Sequence, residues 1–169
     1  PFPRSALVYL EQRLVPHGNS ASTQIFASQL SGRLQGDRYP IDLANGNAVA
    51  LYIAAELRRA LALAQAQRFE EALSILPAIE RDANERGYPY MRALIHSTRG
   101  YIHHRRNSYV DALAEYARAQ PTYERFSDDE SLASLYRSTT SIYRDVGQYD
   151  LSFREALRAR RHLSGAADI

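Results

Sequence analysis

The sequence predicts an all-α protein, built as an array of antiparallel helix pairs with about eight helices in total. One observation is a pattern of aromatic and small residues that recurs every forty positions, at Phe69 and Ala72, Tyr109 and Ala112, and Tyr149 and Ser152. Another is that long stretches of helix-forming residues are separated by turns of only a few residues. A period of this length is typical of stacked helix pairs, because one pair alone cannot bury its apolar face.

The first part of the chain, residues 1–47, predicts an irregular helix pair. Apolar stripes predict helices over residues 4–14 and 22–35, and the Gly, Asn and Pro residues of 37–47 predict a loop. We interpret this part as a degenerate repeat. The chain starts at Pro1 instead of Met, so we expect it to be a piece of a longer protein.

Three regular repeats follow, and we expect them to form one domain together with residues 1–47. Their predicted bounds are residues 48–87, 88–127 and 128–169. Within them the sequence predicts helices at 48–65, 68–86, 90–104, 108–126, 128–145 and 148–163.

Individual residues predict further details of these helices, namely their ends, kinks and close contacts. Pro77 and Pro121 fall inside second helices, where a proline removes a hydrogen bond and is expected to kink or shorten the helix. Ser127 and Glu130 predict a capping box at the start of the third repeat. Small residues at 60, 100 and 140 are expected to face small residues at 72, 112 and 152, so that the helices of a pair approach closely.

Residues 48–163 resemble the tetratricopeptide repeat family. The motif positions of the middle copy are His96, Arg99, Gly100, His103, Ala112 and Tyr116, and those of the last copy are Tyr136, Thr139, Thr140, Tyr143, Ser152 and Ala156. The resemblance implies a right-handed superhelical array of helix pairs, which is an α-solenoid.

The repeats depart from this family in two ways. The usual repeat has about 34 residues and ends with proline, whereas these copies are forty residues long and have Asn84, Glu124 and Ser164 at the corresponding ends. Long repeats of this kind are similar to those of bacterial regulatory proteins, especially the repeat region before GGDEF-type diguanylate cyclase domains. That narrower resemblance implies a bacterial signalling protein. The compartment stays open between cytoplasm and periplasm, with the periplasm favoured if the cyclase resemblance holds.

The family resemblance implies a concave groove lined by the first helix of each pair. Its expected lining is Leu57, Leu61, Ala64 and Gln65 in the first repeat, Ser97, Tyr101, His104 and Arg105 in the second, and Arg137, Ser141, Arg144 and Asp145 in the third. Arg137 and Arg144 are seven residues apart and share a helix face. Together with Tyr101 and His104, they would hold a carboxylate or phosphate. The alternative is that these arginines form ion pairs with neighbouring acids on a solvated face.

Several functions are disfavoured by the composition. The net charge of +2 is too small to indicate a nucleic-acid partner, and the longest apolar run, residues 48–55, is too short to span a membrane. No nucleophile, nucleotide or metalloprotease motif occurs, so we expect neither an enzyme nor a cofactor. His96 and His103 are expected to line the core rather than bind a metal, and the tyrosine stripes are expected to pack.

The sequence therefore predicts a non-catalytic interaction module. Its expected partner is a peptide or protein segment with an acidic or carboxylate end, bound by Tyr101, His104, Arg105, Arg137 and Arg144, with Ser141 beside them. The alternative is a sensory or dimerisation region, acting as a homodimer to regulate an attached signalling enzyme such as a diguanylate cyclase. An RNA- or lipid-binding array is the least favoured hypothesis.

Overall fold

The computed structural model describes residues 48–165 of the chain, with side chains described for residues 52–163. This part is all-helical and contains no strand, which confirms the predicted fold class there. The predicted helix pair and loop of residues 1–47 lie outside the described residues. The helices are α1 (Ala48–Gln65), α2 (Phe69–Glu85), α3 (Pro89–Arg105), α4 (Tyr109–Arg125), α5 (Asp129–Asp145) and α6 (Tyr149–Gly165). No predicted helix end is wrong by more than two residues.

Each of the five turns between these helices has the same geometry. One residue per turn has a positive φ, and these residues are spaced by twenty positions: Gln67, Gly87, Asn107, Ser127 and Gly147. In the last turn, Gly147 N–H donates to the Arg144 carbonyl at 3.0 Å and Gln148 N–H donates to the Tyr143 carbonyl at 2.8 Å. This pair of bonds is the Schellman motif, which satisfies carbonyls at the end of a helix. It recurs in all five turns and reverses the chain each time.

Two of the predicted local features differ in the structure. Asp128, and not Ser127, caps α5, because its carboxylate accepts the Ser131 N–H at 3.1 Å while Ser127 occupies the positive-φ position of the turn. Pro77 and Pro121 do not shorten their helices, since α2 and α4 have 17 residues each, the same length as α3. Both prolines are exposed, so their rings lie outside the packed core.

The chain divides into two compact units, Pro1–Arg59 and Ala60–Ile169. Of the first unit, the structure describes only residues 48–59, which belong to α1. In the second unit, α3 packs extensively against α4, and α5 packs extensively against α6. In addition, α2 contacts α3, α4 contacts α5, and α3 contacts α5. None of the described helices combines the length and the apolar character that a membrane crossing requires.

The helices of a pair approach closely where the sequence places small residues. A Cβ atom added to Gly100 would lie 2.8 Å from the ring of Tyr116 and 3.2 Å from the Ala112 carbonyl oxygen. In the next pair, the Ser152 hydroxyl donates to the Thr140 carbonyl at 3.0 Å. The expected contacts of positions 100 with 112 and 140 with 152 are confirmed.

Candidate functional site

A cleft of about 260 Å³ lies between α3, α4 and α5, with Leu61 of α1 at its edge. The Schellman turns reverse the chain after each helix, so α3 and α5 run in the same direction and contact each other while α4 lies between them in sequence. The lining residues are Leu61, Leu94, Ser97, Thr98, Tyr101, Tyr116, Tyr123, Ser131, Ser134, Leu135 and Ser138. All of them belong to the second unit.

The chemistry of this lining is uniform, since eight of the eleven side chains carry a hydroxyl and the other three are leucines. None of the eleven is Asp, Glu, His, Lys or Arg. A hydroxyl donates one hydrogen bond and accepts others without carrying charge. Such a cleft can therefore bind uncharged polar groups next to apolar ones. A carboxylate or ammonium group would lose its hydration there without gaining an ionic partner.

The Tyr116 phenol is the least satisfied group in the cleft. The residue is 3% exposed, and within the described part of the chain its oxygen has no hydrogen-bond partner. Burial raises the pKa of Tyr116 to about 12, although the nearby Ser138 hydroxyl by itself would lower that pKa. The Ser138 hydroxyl itself donates to the Ser134 carbonyl at 3.1 Å. Because a buried donor without a partner is costly, the phenol is available to an acceptor that enters the cleft.

Other hydroxyls of the cleft are already fixed by partners. Ser97 shares a hydrogen bond of 2.9 Å with the Tyr123 hydroxyl, which connects α3 to α4. The Ser131 hydroxyl donates to the Asp128 carboxylate at 2.8 Å, and Asp128 also accepts a hydrogen bond from the Tyr90 hydroxyl. These bonds hold the cleft walls in place, so the site is largely formed before any ligand binds.

The predicted groove residues fall into separate groups in the structure. Tyr101 lines the cleft, together with Ser97 and Leu61. His104, Ser141 and Arg144 do not line it. Arg105 and Arg137 are exposed and also lie outside the lining.

His104, Ser141 and Arg144 instead gather around Asp145. His104 Nε2 lies 3.8 Å from an Asp145 oxygen, which is longer than a hydrogen bond. Arg144 donates to the Ser141 hydroxyl at 3.0 Å and to Asp145 at 3.4 Å. Burial lowers the pKa of His104 even though Asp145 acts to raise it. Arg144 therefore has local partners, as the alternative hypothesis of a solvated, ion-paired face expects.

A charged network occupies the opposite face of α3 from the cleft. His96 Nδ1 lies 2.7 Å from Glu115, Arg99 donates to Glu115 at 3.2 Å and also to Glu80, and Arg118 donates to Glu115 at 2.5 Å. Burial by itself would raise the pKa of Glu115, but the His96 hydrogen bond and the charges of Arg99 and Arg118 outweigh it and hold the pKa below its usual range. The network joins α2, α3 and α4, so we assign it a structural role.

Both histidines considered as metal ligands have other environments. His96 belongs to the charged network. His103 is half-buried, and burial lowers its pKa. Among the described residues, no group of three or more His, Cys, Asp or Glu side chains could hold a metal ion.

Most cleft residues were missed by sequence reasoning. Tyr116 and Tyr123 were expected to pack, and they do, but their polar ends also line the cleft. The signal for the α5 wall was a serine stripe, because Ser131, Ser134 and Ser138 recur at spacings of three and four on one helical face.

Comparison with known proteins gives no relative. The chain matches no family model, no curated protein and no solved structure.

Proposed function

We propose that this chain is a non-catalytic, tetratricopeptide-like interaction module that binds a peptide or protein segment between the first helices of its second and third repeats. The observation that carries this proposal is the preformed cleft with its hydroxyl lining and its unpartnered Tyr116 phenol. Pockets that combine apolar walls with a few convergent polar groups are the usual binding sites of proteins.

The arrangement of the helices supports the solenoid part of the proposal. From α2 onward, consecutive helices pack antiparallel through identical turns, and α3 also contacts α5, the equivalent helix forty residues later. A right-handed superhelical array places the first helices of successive pairs side by side in this manner. The cleft would then be one segment of the concave groove.

The lining also supports a binding role over a catalytic one. General acid–base catalysis needs a group that exchanges its proton near the working pH. The cleft contains no carboxylate or imidazole, and burial moves its phenol Tyr116 further from neutrality.

The neutral lining narrows the bound chemistry. We propose that the cleft accepts an uncharged stretch of the partner, with backbone amides bonded to the hydroxyls and a small apolar side chain against Leu94 and Leu135. An acidic end of the same partner would bind outside the cleft, at the exposed Arg105 or Arg137, because buried carboxylates need a cation.

A display experiment with random dodecapeptides tests this proposal. Peptides are selected on the 169-residue chain, and their binding is then measured to that chain and to a Ser134→Trp variant, whose indole would fill the cleft from an exposed position on its wall. Ser74→Trp is the matched control, because Ser74 is exposed on α2 and does not line the cleft. We expect the dissociation constants of the selected peptides to rise at least tenfold for Ser134→Trp and to stay unchanged for Ser74→Trp. Equal binding to all three proteins would refute the cleft as the binding site.

A further inference from the structure

The outer face of α6 is apolar and uncovered in the structure. Tyr149 is 70% exposed, Phe153 is 66% exposed and Leu163 is 47% exposed. Together with the exposed Ala156 and Arg160, these side chains recur at spacings of three and four residues, so they form one stripe along the helix. Single exposed apolar residues are ordinary, but three large apolar side chains on one face of a helix indicate an interaction surface.

The equivalent face of α4, in the preceding repeat, indicates the role of this stripe. Forty residues earlier, its positions correspond to Tyr109, Leu113, Tyr116, Gln120 and Tyr123 of α4. In α4 this face lies against neighbouring helices, and Tyr116 and Tyr123 are only 3% and 2% exposed. The α6 stripe therefore has the register of an internal packing face, and its large apolar side chains are exposed.

We propose that this stripe is a dimerisation surface, on which α6 of a second copy of this chain packs antiparallel to the first. The sequence of the stripe is self-complementary about Ala156. In the antiparallel arrangement Tyr149 meets Leu163 of the second copy, Phe153 meets Arg160, and Ala156 meets itself. The small side chain at the centre lets the two helices cross closely, and an Arg over a Phe ring adds a cation–π contact.

Charge fixes the direction of the pair. Asp150 and Arg161 flank the stripe on the same side of α6. Antiparallel packing places Asp150 of each copy near Arg161 of the other, which gives two reciprocal attractive pairs. Parallel packing about a two-fold axis along the helices would place the two Asp150 side chains on opposite flanks of the pair, and the two Arg161 side chains likewise, so neither attractive pair would form. Because one helix per copy forms the contact, the interface is small and the dimer is expected to dissociate on dilution.

The absence of cysteine from the chain makes a direct test possible. An Ala156→Cys variant is oxidised at a concentration of about 100 μM, where a micromolar dimer is populated, and the products are separated on a non-reducing gel. We expect Ala156→Cys to cross-link to itself, and Tyr149→Cys to cross-link faster to Leu163→Cys than to itself. Val110→Cys is the control, because Val110 is 82% exposed on α4, outside the stripe.

Sedimentation of the untagged 169-residue chain gives an independent readout. We expect the mass to approach twice the 19.1 kDa of one chain as the concentration rises. Phe153→Glu should raise the dissociation constant at least tenfold, with the circular dichroism spectrum unchanged. Asp150→Arg and Arg161→Asp should each weaken the dimer, and the double variant should restore it.

Three results would overturn the proposal. The first is a chain that stays monomeric at high concentration, and the second is a dimer that Phe153→Glu leaves intact, since another surface would then form it. The third is self-cross-linking of Tyr149→Cys as fast as its cross-linking to Leu163→Cys, which would mean a parallel pair. None of these results depends on peptide binding in the cleft, so the two proposals fail separately.

Discussion

Replacement of Gly100 by alanine tests how the second repeat is packed. Two effects oppose each other at this position. Alanine is the better helix former, by about 0.5–1 kcal/mol. However, the added Cβ would lie 2.8 and 2.9 Å from two carbon atoms of the Tyr116 ring. Ordinary carbon–carbon contacts are about 3.5–4.0 Å, so the ring or the helix has to move by roughly 0.7 Å.

The size of the effect follows from how little the surroundings can yield. The Tyr116 ring is almost fully buried, and the Ala112 carbonyl oxygen lies 3.2 Å from the added Cβ on the same side. Overpacking of a rigid core typically costs about 1–3 kcal/mol. After the helix propensity is subtracted, we expect Gly100→Ala to lower the free energy of unfolding by about 1–2 kcal/mol. For a chain of this length that corresponds to a fall in Tm of roughly 2–8 °C.

A double-mutant cycle shows whether Tyr116 is the cause. The forty-residue period aligns Gly100 and Tyr116 with Ala60 and Leu76 of the first repeat, where both residues are fully buried and the first carries a Cβ. Tyr116→Leu should therefore relieve the clash, and we expect a favourable coupling of at least about 0.5 kcal/mol with Gly100→Ala. The control is Tyr123→Leu. Tyr123 is also a buried tyrosine on α4, but none of its atoms is among those nearest the added Cβ.

Urea denaturation followed by circular dichroism gives all the free energies in this cycle. The reasoning is refuted if Gly100→Ala stabilises the protein by the full helix-propensity difference. It is also refuted if the coupling to Tyr116→Leu is no larger than the coupling to Tyr123→Leu. Either result would mean that the glycine is not needed for the approach of α3 to α4.

Further predictions concern the turns and the charged groups. Gly147 has a φ of 76° and no atom within 4 Å of an added Cβ, so Gly147→Ala should cost about 1 kcal/mol from backbone strain alone, measured by urea denaturation. The pKa values of His103 and His104 are lowered from 6.5 in the folded chain, so the unfolded chain takes up protons first as the pH falls below about 6.5. Stability should therefore decrease as the pH falls through about 6.5, and replacement of both histidines by Gln should flatten that dependence in urea titrations. Glu115→Gln should lower the unfolding free energy by about 2 kcal/mol, whereas Arg118→Ala, at the exposed end of the same pair, should cost less than about 1 kcal/mol in the same assay.

The sequence predicted the described helices well because their signals are local. Apolar periodicity and short turns locate six helices to within two residues. The turn geometry was harder to predict, because Gln67 and Ser127 are not residues that usually adopt a positive φ, in contrast to Asn107 and the glycines of the other turns. The tertiary requirement for a tight reversal every twenty residues overrides that local preference. The same override explains why Asp128 takes the capping role expected for Ser127.

The site was predicted less well because it depends on how neighbouring helices are rotated. The family pattern assumes that α3 and α5 present equivalent positions to the ligand. It predicted Ser97 and Tyr101 on α3, which line the cleft, and the equivalent Arg137 and Ser141 on α5, which do not. The cleft lies between the two helices, so each presents a different flank to it. On α5 that flank carries Ser134 and the neighbouring serines of the stripe. The period of a sequence does not encode this rotation.

The separation of charge on α3 gives the binding proposal a distinctive salt dependence. Arg99 and His96 lie on the face that joins α2 and α4, whereas the cleft face carries only hydroxyls and leucines. Added salt screens exposed charges, with a Debye length of about 8 Å at physiological ionic strength. A peptide held by the neutral cleft should therefore keep its affinity when the salt concentration is raised, and a peptide held by Arg105 and Arg137 should lose it. Affinity that falls steeply with salt and is unchanged by Ser134→Trp would assign recognition to these arginines and remove the cleft from the mechanism.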